Sequence, residues 1–168
     1  DYFRSPDGSV VNNSAVIFTE VDNTKPFTFT AKVQPEFTET GTYSAGVIYA
    51  YENDTHCQKL CFEQDEYGDH RVVSVRTLGT SDDNNHQAIT APYVYMRLSS
   101  DGTTLGSYFS EDGKIWRMAR LYKNDFPEKL LIGISSQSPK DNEHTCLFTE
   151  VSLTDKPVAD FRKGNIAE

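Results

Sequence analysis

Cysteine is scarce in this chain, with three in 168 residues: Cys57, Cys61 and Cys146. An odd number without regular spacing argues against a disulfide framework. On an extended strand Cys57 and Cys61 would stand about 13 Å apart, too far to bridge each other. A C-x3-C pair on a strand also lacks the ligands and spacing of a zinc site, so no metal or other cofactor is expected. Free thiols fit a reducing compartment, and the expected location is cytoplasmic. No apolar run approaches membrane-spanning length. No signal-peptide pattern is visible, although the chain begins with Asp1 rather than Met. Basic residues are outnumbered, 16 Lys and Arg against 25 Asp and Glu, for a formal charge of −9. Such a field disfavours nucleic-acid backbones and anionic membrane surfaces. It is compatible with a neutral ligand such as a sugar, and equally with acidity that only keeps the protein in solution. Amphipathic helical periodicity, internal repeats, low-complexity tracts and linkers are all missing as well.

What the chain has in plenty is β-forming residues. Nine Tyr, ten Phe and many Val and Thr suit pleated, half-buried surfaces. A Pro-Asp-Gly turn signal follows the aromatic start Asp1-Tyr2-Phe3, and Ala15–Val21 reads as a short strand. Phe27–Pro35 alternates cleanly, with Phe27, Phe29, Ala31 and Val33 inward and Thr28, Thr30, Lys32 and Gln34 outward. Tyr43–Thr77 reads as three consecutive strands joined by two polar turns. Within it Leu60 and Phe62 oppose Cys57, Lys59, Cys61 and Glu63, and Val73 and Val75 oppose Val72, Ser74 and Arg76. Leu78–Pro92 is rich in Ser, Asp, Asn and Thr and reads as a long loop. Strands follow at Tyr93–Ser99, Thr104–Ser110, Ile115–Leu121, Leu130–Ser136 and Thr145–Leu153, with turns at Asp101-Gly102, Glu111–Lys114 and Gln137–Glu143. Lys156–Glu168 reads as a polar tail with little to bury. About ten short strands predict an all-β, two-sheet antiparallel β-sandwich or jelly roll. It forms one domain over residues 1–164, with 165–168 as a tail.

Three constellations could carry chemistry. The first is a row of Lys59, Glu63, Ser74 and Arg76 on one outer sheet face. Tyr49 or Tyr51 on the preceding strand and Tyr95 and Arg97 beyond it would extend the row. Arg and Glu offer fixed hydrogen-bonding directions for hydroxyls, and tyrosine rings cover sugar CH faces. The competing reading is a solvated salt-bridge ladder. Ser81, Asp82, Asp83 and His86 in the long loop could contribute, since long loops in compact domains are often functional. The second is enzymatic. Glu63 and Asp65 begin an alternating-carboxylate pattern, but the third acid, Glu66, breaks the spacing expected of a retaining glycosidase. A thiol nucleophile at Cys57 or Cys61 has no spacing in its favour. The third, Ser110–Trp116, is explained as a turn with Trp116 packed beside it.

The stretches DYFRSPDGSVVNNSAVIFTEV, YSAGVIYAYENDTHCQKLCFEQ, VVSVRTLGTSDD, SSDGTTLGSYFSEDGKIWRMARLY and LLIGISSQSP resemble, in order and spacing, the DUF1349 family. The resemblance runs from Asp1 to about Gly164 and implies the concanavalin A-like lectin/glucanase sandwich, with one concave and one convex outer face. The family includes stand-alone bacterial proteins and a fungal group described as regulators of enolase, and similar modules occur attached to glycoside hydrolases. Relatives commonly carry a further strand ahead of the residues matching Asp1-Tyr2-Phe3. Many have Trp just after the His of an H-W-x-K-L stretch, where this chain has Cys57, so a sugar-stacking ring inherited at that position is lost. No catalytic residues carry over. The expectation is a non-catalytic binding module with a carbohydrate on the concave outer face. Its ligand residues would be Tyr49, Lys59, Glu63, Ser74, Arg76, Ser81, Asp82, Tyr95 and Arg97. The alternatives are a regulatory domain with a protein partner or homodimer, and a glycoside hydrolase or lyase domain.

Overall fold

Strands fill the chain, and along each of them successive side chains alternate between the two faces of a sheet. The computed structural model describes residues 1–140 and 143–166. Among the described residues thirteen strands run in order: β1 (Tyr2–Arg4), β2 (Val10–Asn12), β3 (Ile17–Asp22), β4 (Phe27–Pro35), β5 (Ala45–Asn53), β6 (His56–Gln64) and β7 (His70–Leu78). They continue with β8 (Thr80–Ala88), β9 (Val94–Ser100), β10 (Thr104–Ser110), β11 (Arg117–Lys123), β12 (Lys129–Gln137) and β13 (Cys146–Thr154). Two sheets make the sandwich, one ordered β3-β12-β5-β6-β7-β8 and the other β11-β10-β9-β4-β13, and the hairpin β1-β2 stands apart. Every pairing is antiparallel. Among the described residues no helix is long and apolar enough to cross a membrane.

The layer between the sheets is built by the alternation read from sequence. Phe27, Phe29, Ala31 and Val33 of β4 and Val94, Met96 and Leu98 of β9 pack against Ile48, Ala50, Leu60, Phe62 and Val72. Each large side chain buried there contributes roughly 1.5–3 kcal/mol over its exposed state. A second, smaller apolar cluster lies on the opposite face of the six-stranded sheet. Ala45, Val47, Tyr49, Cys61, Val73 and Val75 are covered there by Tyr2, Phe3, Val16, Phe18 and Tyr51. The β1-β2 hairpin and the start of β3 thus roof part of that outer face. Gly8, at φ 92°, makes the turn that lets β1 fold back on β2.

Three expectations are corrected. The segment expected to be the long loop, 78–92, mostly forms β8, which zips onto β7 from Leu78↔Thr80 to Arg71↔Ala88 around Gly79 at φ 74°. Its Ser, Asp and Asn side chains are tolerated because this is an edge strand, and polar edges resist further pairing. The tail is not idle: Val158 is 2% exposed, Gly164 is buried, and the Tyr108 hydroxyl donates to the Phe161 carbonyl at 2.8 Å. Finally, Lys59, Glu63, Ser74 and Arg76 do not share a face. Register sets Arg76 opposite Gln58 and Ser74 opposite Leu60, whereas Lys59 faces Val75 and Glu63 faces Arg71. Directly paired residues point the same way, so Ser74 and Arg76 turn toward the opposite sheet. Parity within each strand was right, and the phase between strands was not. Residues 141–142 of the Gln137–Glu143 turn and 167–168 of the tail lie outside the described residues.

Candidate functional site

A groove of about 420 Å³ lies on the roofed outer face of the six-stranded sheet. Its floor is Lys59 and Glu63 of β6 with Val73 and Val75 of β7. Asp83 and Asn85 of β8 form one side, Asp1, Phe3 and Val11 the roof, and Tyr43, Glu66, Pro139 and Lys140 the ends. That volume suits a small ligand, and an apolar wall carrying a few polar groups is the usual composition of such sites.

Alternation and register determine which charges reach the floor. Lys59 and Glu63 are two strand periods apart on the same face, and both are sunk, at 2% and 9% exposure. The Lys59 ammonium pairs with the Asp1 carboxylate at 2.5 Å and lies 5.7 Å from the Phe3 ring centre. Burial pushes the Glu63 carboxyl up to about 8, against the opposing pull of Lys59, so it is protonated at neutral pH. A carboxylic acid held neutral donates as well as accepts hydrogen bonds. Desolvation by the groove walls likewise raises Asp83, again opposed by Lys59.

Tyr43 occupies the end of the groove in an unusual conformation. Its φ is 66°, in the left-handed region that a bulky side chain adopts at a cost of about 1–3 kcal/mol. The strained backbone is held by Tyr43 N–H donating to the Gln64 carbonyl at 2.7 Å, and the side chain stays 36% exposed. The result is an accessible aromatic ring beside a buried acid and a buried base.

Of the nine expected ligand residues, the groove takes in Lys59 and Glu63. Tyr49 is fully buried under Tyr2 and Phe18. Ser81 shares the outer face but is engaged by the hairpin, accepting from Arg4 N–H at 2.9 Å. Ser74 bonds His86 at 3.0 Å on the inter-sheet side, and Asp82 pairs with Arg120 at 3.2 Å. Arg76 grips Asp125 through both oxygens, at 2.7 and 2.6 Å, with its guanidinium over the Tyr122 ring. Tyr95 and Arg97 lie on the outer face of the other sheet. Tyr95 donates to Glu150, and Arg97 stacks on Trp116 at 3.6 Å while bonding Thr30 and the Gly164 carbonyl. The side chains missing from the expected set are Tyr43, Asn85 and Phe3. A tyrosine just before a strand, after a Gly-Thr turn, was the one signal available for the first of them. Asp83, expected on a loop, stands on β8.

Asp65 and the thiols do not join Glu63 in the groove. Asp65 lies past the end of β6 and organises a turn. It accepts from Tyr67 and Asp69 N–H at 2.9 Å each and pairs with Arg71 at 2.6 Å. All three cysteines are unbridged. Burial raises the Cys57 and Cys61 thiols and pushes Cys146 up to about 12, so none offers a thiolate at neutral pH. Among the described residues no group of three or more His, Cys, Asp or Glu is placed to hold a metal ion.

A family model, DUF1349, described as a protein of unknown function, matches residues 1–156. No curated protein matches the sequence. Among solved structures, a functionally unknown protein from Saccharomyces cerevisiae superposes with a TM-score of 0.80 at 22% identity, over 92% of this chain and 81% of that one. A xylan β-1,4-xylosidase from Bacillus halodurans gives 0.68 at 14% identity, over 84% of this chain but only 30% of the xylosidase. An alginate lyase from Pseudomonas aeruginosa gives 0.53 at 11% identity, over 80% and 66% of the two chains. At these identities the likeness is one of fold: a jelly-roll sandwich of the kind found in glycoside hydrolases and polysaccharide lyases.

Proposed function

The chain belongs to the DUF1349 family, and from that premise we propose that it is a non-catalytic module binding a saccharide in the groove over β6, β7 and β8. One observation carries this reading: the strained, exposed Tyr43 ring stands at the mouth of a groove floored by the protonated Glu63 and by Lys59. A ring supplies the flat apolar surface that sugar CH faces need, while a neutral acid and an amide supply directional partners for hydroxyls. Sandwich domains of this kind in xylosidases and lyases make a sugar the natural ligand class, by analogy of fold. With Asp65 and the thiols otherwise engaged, Glu63 has no carboxylate partner on its strand for a two-acid mechanism, which favours binding over turnover. The free thiols support a reducing, cytoplasmic setting.

The test is calorimetric titration of the protein with a panel of oligosaccharides, beside Tyr43→Ala and Asn85→Ala. Binding of at least one glycan, weakened roughly tenfold or more by Tyr43→Ala, is expected. No binding across the panel, or binding untouched by both substitutions, would remove the groove from consideration. Released reducing ends or unsaturated products would instead make the domain catalytic. A second reading, self-association, draws on the edge strand β13, where Leu147, Val151 and Leu153 are exposed. Sizing chromatography with Leu147→Lys decides it, because a dimer built on that edge becomes a monomer in the variant.

A further inference from the structure

The charges around the groove point beyond sugars in general to one kind of sugar. Its titratable walls come from five places. Asp1 belongs to the hairpin, Lys59 and Glu63 to β6, Glu66 to the turn after it, Asp83 to β8, and Lys140 to the segment following β12. Four carboxyl groups, Glu63 among them in its protonated form, therefore stand with the ammonium groups of Lys59 and Lys140 and with the Asp1 amino group, which burial and the neighbouring Lys59 lower to about 6. Lys59 is the cation best placed at the floor, but it is pinned to Asp1 at 2.5 Å and almost wholly buried, which leaves it no charge to offer a ligand. Glu63, nine-tenths buried at the floor, makes no ion pair with a described residue. Asp83 is exposed along the groove's side, next in the lateral row to Val75 and Lys59.

We infer that the groove selects a sugar carrying a protonated amine, a hexosamine with its amino group free, over a neutral hexose, and that it rejects uronates. This rests on the saccharide-binding reading above. An ammonium placed between Asp83 and Glu63 meets two carboxyl groups, and its charge favours the ionised form of each. A sugar carboxylate in the same place meets the same groups with the sign reversed, and the only strong cation at the floor is already spoken for. The fold neighbour that acts on alginate gives no reason to expect the same ligand charge here, since fold and site chemistry are separate matters.

The experiment uses three oligomers of equal length and β-1,4 linkage: of glucose, of free glucosamine and of mannuronate. Each is titrated into the protein below neutral pH and at low salt, where the amine is protonated. The glucosamine oligomer is expected to bind about fivefold tighter than the glucose oligomer, the scale of a partly exposed ion pair. The mannuronate oligomer is expected to bind at least about fivefold more weakly than the glucose oligomer. The amine preference should shrink as salt is raised, and it should fall toward unity in Asp83→Asn. Mannuronate binding as well as glucose, or glucosamine binding no tighter than glucose, overturns the charge selection and leaves sugar binding intact. Failure of all three to bind overturns both.

Discussion

At the scale of single residues, Tyr43 and Glu63 carry the argument, and each is held against its own preference. A left-handed tyrosine is a cost that glycine would not bear. Tyr43→Gly is therefore expected to raise stability by about 1 kcal/mol while abolishing the stacking surface. Thermal unfolding and glycan titration of one preparation check both halves, and a variant that unfolds earlier would show the conformation to be structurally required instead. Glu63 makes the opposite kind of statement, because burial raises its folded value to about 8 from 4.5. Between those limits the folded chain binds the proton more tightly than the unfolded chain. Stability from this group is thus full below about pH 4.5 and is lost as pH rises through about 8, by roughly 1 kcal/mol per pH unit within that window. Glu63→Gln carries no such proton, so the difference in stability between variant and parent should grow steadily from acid to neutral pH. Parallel denaturant curves for the two proteins across that range would contradict the assignment.

At the scale of elements, most strands were legible because one face of each is buried in a single core. Phe27 to Val33, Leu60 with Phe62, and Val94 to Leu98 announce themselves by period-two alternation, and all of them point into the layer between the sheets. β8 was illegible for the converse reason. Asp82, Asp83, Asn84 and Asn85 lie on an edge strand with little apolar surface to alternate. The register of β6 on β7 was equally hidden. Each strand fixes which of its own residues share a face, but the turn Asp65–Asp69 decides whether Arg76 or Val75 sits beside Lys59. Hence half of the expected binding row went to the wrong side. Contacts between elements also explain a glycine whose role the sequence alone does not disclose. A Cβ on Gly133 of β12 would come within 2.4 Å of the Phe18 ring and 2.6 Å of the Ile17 carbonyl oxygen on β3. Gly133→Ala should push β3 outward, disturb the Phe18–Tyr51 stack that supports the hairpin roof, and cost about 1–3 kcal/mol. Chemical denaturation measures the loss. Hydrogen exchange concentrated in β3 and the hairpin, with β6 and β7 still protected, would locate it.

At the scale of the whole molecule, the two outer faces of the sandwich are treated differently, and this asymmetry leaves the groove over β6, β7 and β8 open. The N-terminal hairpin covers the six-stranded sheet only in part, whereas residues 158–164 close over the five-stranded sheet. Val158 N–H donates to Ser99, Tyr108 to the Phe161 carbonyl, and Arg97 to the Gly164 carbonyl. Gly164, at φ 71°, lies against the Tyr108 ring, where a Cβ would approach to 2.4 Å. This clasp lies past the residues matched by the family model, which end at 156. It nonetheless supplies the partner for Arg97, a guanidinium whose burial lowers it to about 10. Without the clasp, Arg97 loses the Gly164 carbonyl and Tyr108 loses its acceptor, and each buried group left unpaired costs on the order of 1–3 kcal/mol. A chain ending at Pro157 is therefore expected to unfold several degrees earlier. The emission of its single tryptophan should shift as well, because the Arg97 guanidinium resting on Trp116 is no longer anchored. Glycan binding on the opposite face should survive in whatever fraction stays folded. Unchanged melting and unchanged Trp116 fluorescence would mean that the five-stranded sheet does not need its cover, and the contrast between a closed face and an open one would lose its energetic basis.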